Sequence, residues 1–253
     1  MFTIGPARFL ERIRLLPERV QDEARHPFCV PALASLDLPF QSAATFLVGE
    51  NGSGKSTLLA AIADLAGLPP TGGSRHEQGV ATGPAALSGT LLAEACRPTW
   101  IRRPRDAFFF RAELAAHFAG VLDERAADPE FTRDPYALYG GRSLHTRSHG
   151  EAFIALIEGR MAGGLLLMDE PESALSPQRQ LQLLVRLADL CKAGRTQLVI
   201  ATHSPLLMTL PGAQLLSLDE GLVPVTLEET SHYQITRGLL ECPERYWKHL
   251  VEP

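Results

Sequence analysis

The chain has 253 residues, 45% hydrophobic and 21% charged, with a formal net charge of −5 at pH 7. That is room for one large α/β domain with a buried core, and the charge gives no global reason to expect nucleic-acid binding. The scattered Cys29, Cys96, Cys191 and Cys242 form no CxxC pair, which excludes a zinc or disulfide frame and reads as reduced thiols of a cytoplasmic protein.

No basic-then-apolar leader opens the chain, so no signal peptide is expected, and no run of about 18 apolar residues suggests a membrane span. In the first 45 residues, Arg12-Ile13-Arg14-Leu15 alternates polar and apolar as a half-exposed strand does. Prolines at 17, 27, 31 and 39 favour short strands and turns around it. Phe28 and Phe40 read as core residues, with stacking on a base as the alternative.

The stretch Gly49-Glu50-Asn51-Gly52-Ser53-Gly54-Lys55-Ser56-Thr57 follows the apolar run Thr45–Val48 and leads into Leu58–Ala63. Strand, glycine-rich loop and helix are the context in which GxxxxGK[ST] predicts a phosphate-binding loop. Its backbone N–H groups and the helix N-terminus favour phosphate. Lys55 is expected to reach the β- and γ-phosphates and Ser56 to hold Mg²⁺. A nucleotide ligand follows.

The helical period through Leu58, Leu59, Ile62, Leu65 and Ala66 ends at Gly67 and Pro69-Pro70. Composition predicts an irregular loop from Pro69 to Gly89, and Thr90–Arg97 fits strand or short helix equally. Ala107–Phe110 is a short β-type run ending in Arg111. Residues 112–139 read as mainly helical with breaks at Pro129 and Pro135, and Tyr139-Gly140-Gly141 as a turn. An amphipathic helix is expected over 150–161, and a buried strand over Leu165–Met168.

That strand ends at Asp169-Glu170, the pattern of a second phosphoryl-transfer element. Asp169 would bind Mg²⁺ opposite Ser56, and Glu170 would polarise the attacking water. Ser176-Pro177 opens the next helix, which Gly194 stops. Gln197–Ala201 is another buried strand, ending at Thr202-His203-Ser204. Parallel geometry would bring His203 to the edge that holds Asp169 and Lys55, where it could hydrogen-bond the γ-phosphate. A hairpin over 215–225 and one or two helices over 233–251 close the chain.

Ser148-His149-Gly150-Glu151 begins the helix before the Asp169 strand and reads as a helix cap or an anion site. With it, the order of motifs resembles the ATP-binding-cassette ATPases. The phosphate loop Gly49–Thr57, the signature Ser148–Glu151, the acidic strand Leu165–Glu170, the D-loop Ser173–Ser176 and the switch histidine His203 carry the likeness. It is similar to stand-alone AAA-family ATPases related to RecF and SMC-type heads, with Phe-Phe-Phe-Arg-Ala-Glu at 108–113. The resemblance implies a P-loop α/β fold across 1–253, with a mostly parallel sheet, an N-terminal antiparallel β segment and a helical subdomain inserted at about 111–160. It also implies ATP as ligand, Mg²⁺, and a head-to-tail homodimer in which Ser148 and Gly150 contact the γ-phosphate in trans. Ser176 replaces the usual D-loop aspartate, and Arg111 or Glu113 stands where a metal-linking glutamine is expected. The function implied is an ATPase whose dimerisation switches an unidentified soluble protein partner or nucleic acid. The alternatives are the ATP-binding subunit of a membrane transporter, or a DNA-repair or anti-phage module. For the last, Arg102-Arg103-Pro104-Arg105 is the local candidate for nucleic-acid phosphates, weighed against a solvated basic loop.

Overall fold

In the computed structural model, the described residues are 4–6, 9–69, 72–74, 84–111, 115–147, 149–160 and 163–251. Two sheets organise them. From edge to edge the larger comprises β10 (Val223–Pro224), β9 (Gln214–Ser217), β3 (Ala44–Val48), β8 (Thr196–Ala201), β7 (Gly164–Asp169), β6 (Ala107–Arg111) and β4 (Gly73–Ser74). The five central strands are parallel, and the short edge strands β10 and β4 are antiparallel. The smaller sheet is antiparallel, with β1 (Leu10–Leu15) between β2 (Asp37–Pro39) and β5 (Cys96–Trp100).

Both faces of the large sheet are covered, which is why β3, β7 and β8 are continuous apolar runs instead of alternating ones. Leu47, Phe109, Leu165, Leu167 and Val199 face one core with Leu10 and Ile13 of β1. The helices α2 (Lys55–Leu65) and α3 (Pro84–Ala95) complete that layer with Leu58, Leu59, Ile62 and Leu92. Phe46, Phe108, Phe110, Leu166, Met168, Leu198 and Ile200 face the other core. There they meet α5 (His149–Arg160), α6 (Pro177–Ala193) and α7 (Pro205–Met208) through Phe153, Leu156, Leu183, Leu187 and Leu207. Phe153 sits edge-on to Phe110 with ring centroids 4.3 Å apart, a favoured aromatic geometry.

Between β6 and β7 the described residues form α4 (Ala115–Ala127), the 3-10 turns Ala137–Tyr139 and Leu144–Thr146, and α5. After β10 come α8 (Ser231–Glu241) and α9 (Pro243–Val251), with Pro243 opening α9. The short helix α1 (Pro31–Ala34) precedes β2.

The two sheets are joined by Gln197, which is fully buried on β8. Its Oε1 accepts from the N–H groups of Phe9 and Leu10 at 2.9 and 2.8 Å, and its Nε2 donates to the Leu10 carbonyl at 2.8 Å. A lone buried amide is costly, and here every bond is to backbone of Leu10 at the start of β1 or of Phe9 just before it.

One local reading is corrected and one left open by the residues is resolved. The stretch expected as loop up to Gly89 is helical from Pro84, and the ambiguous 90–97 segment divides, with helix to Ala95 and strand from Cys96. The reason is packing: Gly89 lets α3 approach α2 so closely that a Cβ there would lie 2.5 Å from Ala60 Cβ. The region expected to be mainly helical with breaks is helical, among the described residues, over the α-helix Ala115–Ala127 and at Ala137–Tyr139, a 3-10 turn. Beyond the α-helix the carboxylates of Asp128 and Asp134 accept backbone N–H groups two residues on and make turns.

Candidate active site

The carboxyl ends of β3, β8, β7 and β6 emerge along one edge, the usual place for ligands in a parallel sheet. The phosphate loop leaves β3 there. Gly49 and Gly54 have φ of +146° and +98°, and a Cβ at Gly49 would lie 2.8 Å from both Ser53 Oγ and Asp219 Oδ1. Only glycine meets both demands cheaply. Ser53 N–H closes the loop onto the Glu50 carbonyl at 3.2 Å, while Asn51 and Gly52 form its exposed tip.

Lys55, 4% exposed, begins α2 and donates to the carbonyls of Gly49 at 2.7 Å and Glu50 at 2.9 Å. Burial lowers its pKa, opposed by Glu170, Asp219, Asp169 and Glu50. Next to it the Ser56 hydroxyl donates to Asp169 Oδ1 at 2.9 Å. Thr57 is buried one residue on. On the other side, Arg111 Nε lies 3.3 Å from Asp169 Oδ2, because Arg111 and Asp169 are register partners at the ends of β6 and β7. Glu113, the other residue considered for that place, is outside the described residues.

Glu170 follows β7 with φ of +47°, the one positive φ at a non-glycine among the described residues. The strain is held by its N–H on the Ala201 carbonyl at 2.9 Å and by the Ser173 hydroxyl on its own carbonyl at 2.9 Å. Such a conformation costs roughly 1–3 kcal/mol and concentrates at functional positions. His203 leaves β8 beside it, with Nε2 3.5 Å from Glu170 Oε1. Burial first, then Lys55, lowers the His203 pKa.

The structure thus brings Lys55, Ser56, Asp169, Glu170 and His203 together. Ser148 lies outside the described residues. Gly150 sits in the first turn of α5, whose Glu151 meets Arg179 of α6 at 3.3 Å. Three nearby residues escaped the sequence reading. Asp219 accepts from Glu50 N–H at 2.6 Å, the Glu172 carboxylate accepts the His203 N–H at 2.5 Å, and His232 contacts His203. Each comes from a turn or helix with no motif to mark it.

The oxygen donors of Ser56 and Asp169 suit a hard cation such as Mg²⁺. Among the described residues no group of three or more His, Cys, Asp or Glu is arranged to hold a metal alone. Such a cation would therefore draw its remaining ligands from phosphate oxygens and water. Arg102 and Arg103 have other partners: Arg102 lies over the Phe9 ring at 4.7 Å, and Arg103 over Trp100 at 5.0 Å with a bond to the Leu65 carbonyl.

A glycine-rich loop between a buried strand and a helix, with an acidic strand end against its serine, defines a P-loop ATPase of the ATP-binding-cassette type. Residues 44–143 and 151–209 match the family described as "AAA domain, putative AbiEii toxin, Type IV TA system". The chain belongs to this family of ATPases. It is 35% identical over 182 residues to the cytochrome c biogenesis ATP-binding export protein CcmA of Rhodospirillum rubrum, covering 70% of this chain and 74% of that one. It is 31% identical over 192 residues to the hemin import ATP-binding protein HmuV of Burkholderia thailandensis, covering 64% and 68%. Among solved structures, cbiO1 from Clostridium perfringens, part of the ABC transporter complex cbiONQ, superposes with a TM-score of 0.51 at 14% identity over 96% of this chain and 100% of that one. No helix among the described residues is long and apolar enough to cross a membrane.

Proposed function

We propose that the chain is a cytoplasmic, Mg²⁺-dependent ATPase that closes into a head-to-tail homodimer around ATP and thereby switches a protein partner. The observation that carries the reading is the Ser56–Asp169 contact, flanked by Lys55 and Glu170 at one sheet edge. Gly49, Glu50, Asn51, Gly52, Ser53, Gly54 and Thr57 would wrap the phosphates with backbone N–H groups. Two of the three Lys55 donors are engaged by loop carbonyls, and the third is available to a phosphate oxygen. Ser56 and Asp169 would hold the magnesium ion, which would supply charge neutralisation to the bound phosphates.

Glu170 would accept a hydrogen bond from the water that attacks the γ-phosphorus, orienting it in line with the leaving oxygen. His203, donating from Nε2, would stabilise charge on the γ-phosphoryl oxygens. Ser148 and Gly150 of a second copy would complete the site from across the dimer. Ligand that binds only the closed pair shifts the equilibrium toward it, and hydrolysis releases it. The test is phosphate release from ATP with and without Mg²⁺, alongside light scattering. Wild-type protein should hydrolyse only with Mg²⁺, and Glu170→Gln should lose at least about a hundredfold in turnover while accumulating as an ATP-bound dimer. A Glu170→Gln protein that stays monomeric in Mg²⁺ and ATP refutes the dimer.

A second reading, the ATP-binding subunit of a transporter, is favoured by the 35% identity to an export protein's ATP-binding chain. Capture of a membrane permease with the purified chain would rank it first. The nucleic-acid reading draws little support, since Arg102 and Arg103 are committed to Phe9, Trp100 and Leu65.

A further inference from the structure

The ring of His203 is hydrogen-bonded at one nitrogen and faces a carboxylate with the other. Its Nδ1 is 2.8 Å from Nε2 of His232, the second residue of α8, and the two rings lie 4.9 Å apart between centroids. Its Nε2 faces Glu170 Oε1 at 3.5 Å, is buried, and has no hydrogen-bond partner among the described residues. A neutral imidazole carries one donor and one acceptor, so the two contacts fix each other. A bare Nε2 would turn its lone pair toward a carboxylate oxygen, which also offers only lone pairs. An N–H there is attracted instead. The proton therefore belongs on Nε2, Nδ1 is the acceptor, and the hydrogen between the rings comes from His232 Nε2.

We propose that His232 is a positioning residue for the ATPase site: its Nε2–H holds His203 in the tautomer whose Nε2–H points at Glu170 and the γ-phosphate position. The proposal rests on the function proposed above and adds a residue outside the recognised motifs. His232 is well placed to do this. Thr230 is the N-cap of α8, its hydroxyl accepting from Tyr233 N–H at 3.3 Å, and the preceding turn is closed by the reciprocal Thr226–Glu229 pair. The chain from α8 to the site is thus His232 Nε2–H to His203 Nδ1, then His203 Nε2–H to the reacting edge. A rotation of α8 would change the donor that meets the γ-phosphate.

The test combines spectroscopy and kinetics. In ¹⁵N-histidine-labelled protein, two-bond ¹H–¹⁵N correlations, assigned with His203→Gln, should report His203 as the Nε2–H tautomer. His232→Phe, which keeps a ring without the donor, should lower kcat about tenfold with KM for ATP nearly unchanged, the usual scale for losing a group that orients a reacting side chain. His232→Gln, whose amide N–H can donate to Nδ1, should recover most of that loss. A wild-type Nδ1–H tautomer, a His232→Phe enzyme as fast as wild type, or a His232→Gln enzyme as slow as His232→Phe each overturns the proposal. Should His232→Phe fail to fold, the wild-type tautomer and the Gln variant decide. Wild-type protein that hydrolyses no ATP would remove the proposed function and leave the tautomer result standing by itself.

Discussion

Arg111 and Asp169 stand opposite each other at the ends of adjacent parallel strands, with the guanidinium Nε 3.3 Å from Oδ2 while Ser56 holds Oδ1. Asp169 is 6% exposed, so its charge is balanced from both sides by side chains and not by bulk water. Replacing Arg111 by Met leaves a buried carboxylate short of a cation. Removing one partner of a buried pair typically costs 3–5 kcal/mol, and the retained Ser56 bond reduces the expected loss to about 2 kcal/mol. Mg²⁺ should restore more stability to Arg111→Met than it adds to wild type. Urea melts with and without the ion check this, and equal Mg²⁺ effects refute it.

Glu172 carries a pH signature. Burial pushes its carboxyl above the ordinary 4.5, although the His203 N–H pulls the other way, and its Oε2 has no hydrogen-bond partner among the described residues. The folded state then binds this proton more tightly than the unfolded state. Stability contributed by Glu172 is full below about 4.5 and declines as pH rises through the raised folded value. Glu172→Gln cannot ionise, so the stability of the variant minus that of wild type should grow with pH across this window and then level off. Denaturant titrations at a series of pH values would expose a flat difference, which contradicts the assignment.

Gly89 is predicted to be intolerant for steric reasons. An added Cβ would sit 2.5 Å from Ala60 Cβ and 3.1 Å from backbone of Ala60 and Ala61. Helix propensity alone would make Gly89→Ala more stable by roughly 1 kcal/mol. Overpacking of 1–3 kcal/mol should outweigh it, for a net loss of about 1 kcal/mol. Because α2 carries Lys55 and Ser56, the KM for ATP should rise as well. A gain in the urea midpoint would mean that α3 shifts freely.

Gln197→Leu keeps volume and removes three buried bonds, leaving the N–H groups of Phe9 and Leu10 and the Leu10 carbonyl without this partner. The expected cost is about 3 kcal/mol, since each orphaned backbone group forfeits roughly 1 kcal/mol or more. Thermal denaturation is the check. A shift below a few degrees would show that water or rearranged backbone serves these groups instead.

What could be read in the residues was what local pattern encodes. Thr45–Val48, Leu165–Met168 and Gln197–Ala201 are apolar runs because their sheet is covered on both faces, and the motif residues follow at their ends. The N-cap Ser176 and the C-terminal Gly194 were equally visible, and the structure has both. Pro84–Gly89 reads as loop because glycine and proline normally break helices, whereas Gly89 is there for contact with Ala60. No pattern marked Asp219, Glu172 or His232. Their importance lies in partners 169, 31 and 29 residues away, which only the fold specifies.

Gln197 also bears on how the molecule can move. One amide makes three links between β8 and the start of β1, beside the apolar contacts of Leu10 and Ile13, so a shift of β8 strains all three bonds together. Nucleotide-driven displacement of the strand that leads to His203 would then carry the small sheet with it as a lever, not bend away from it.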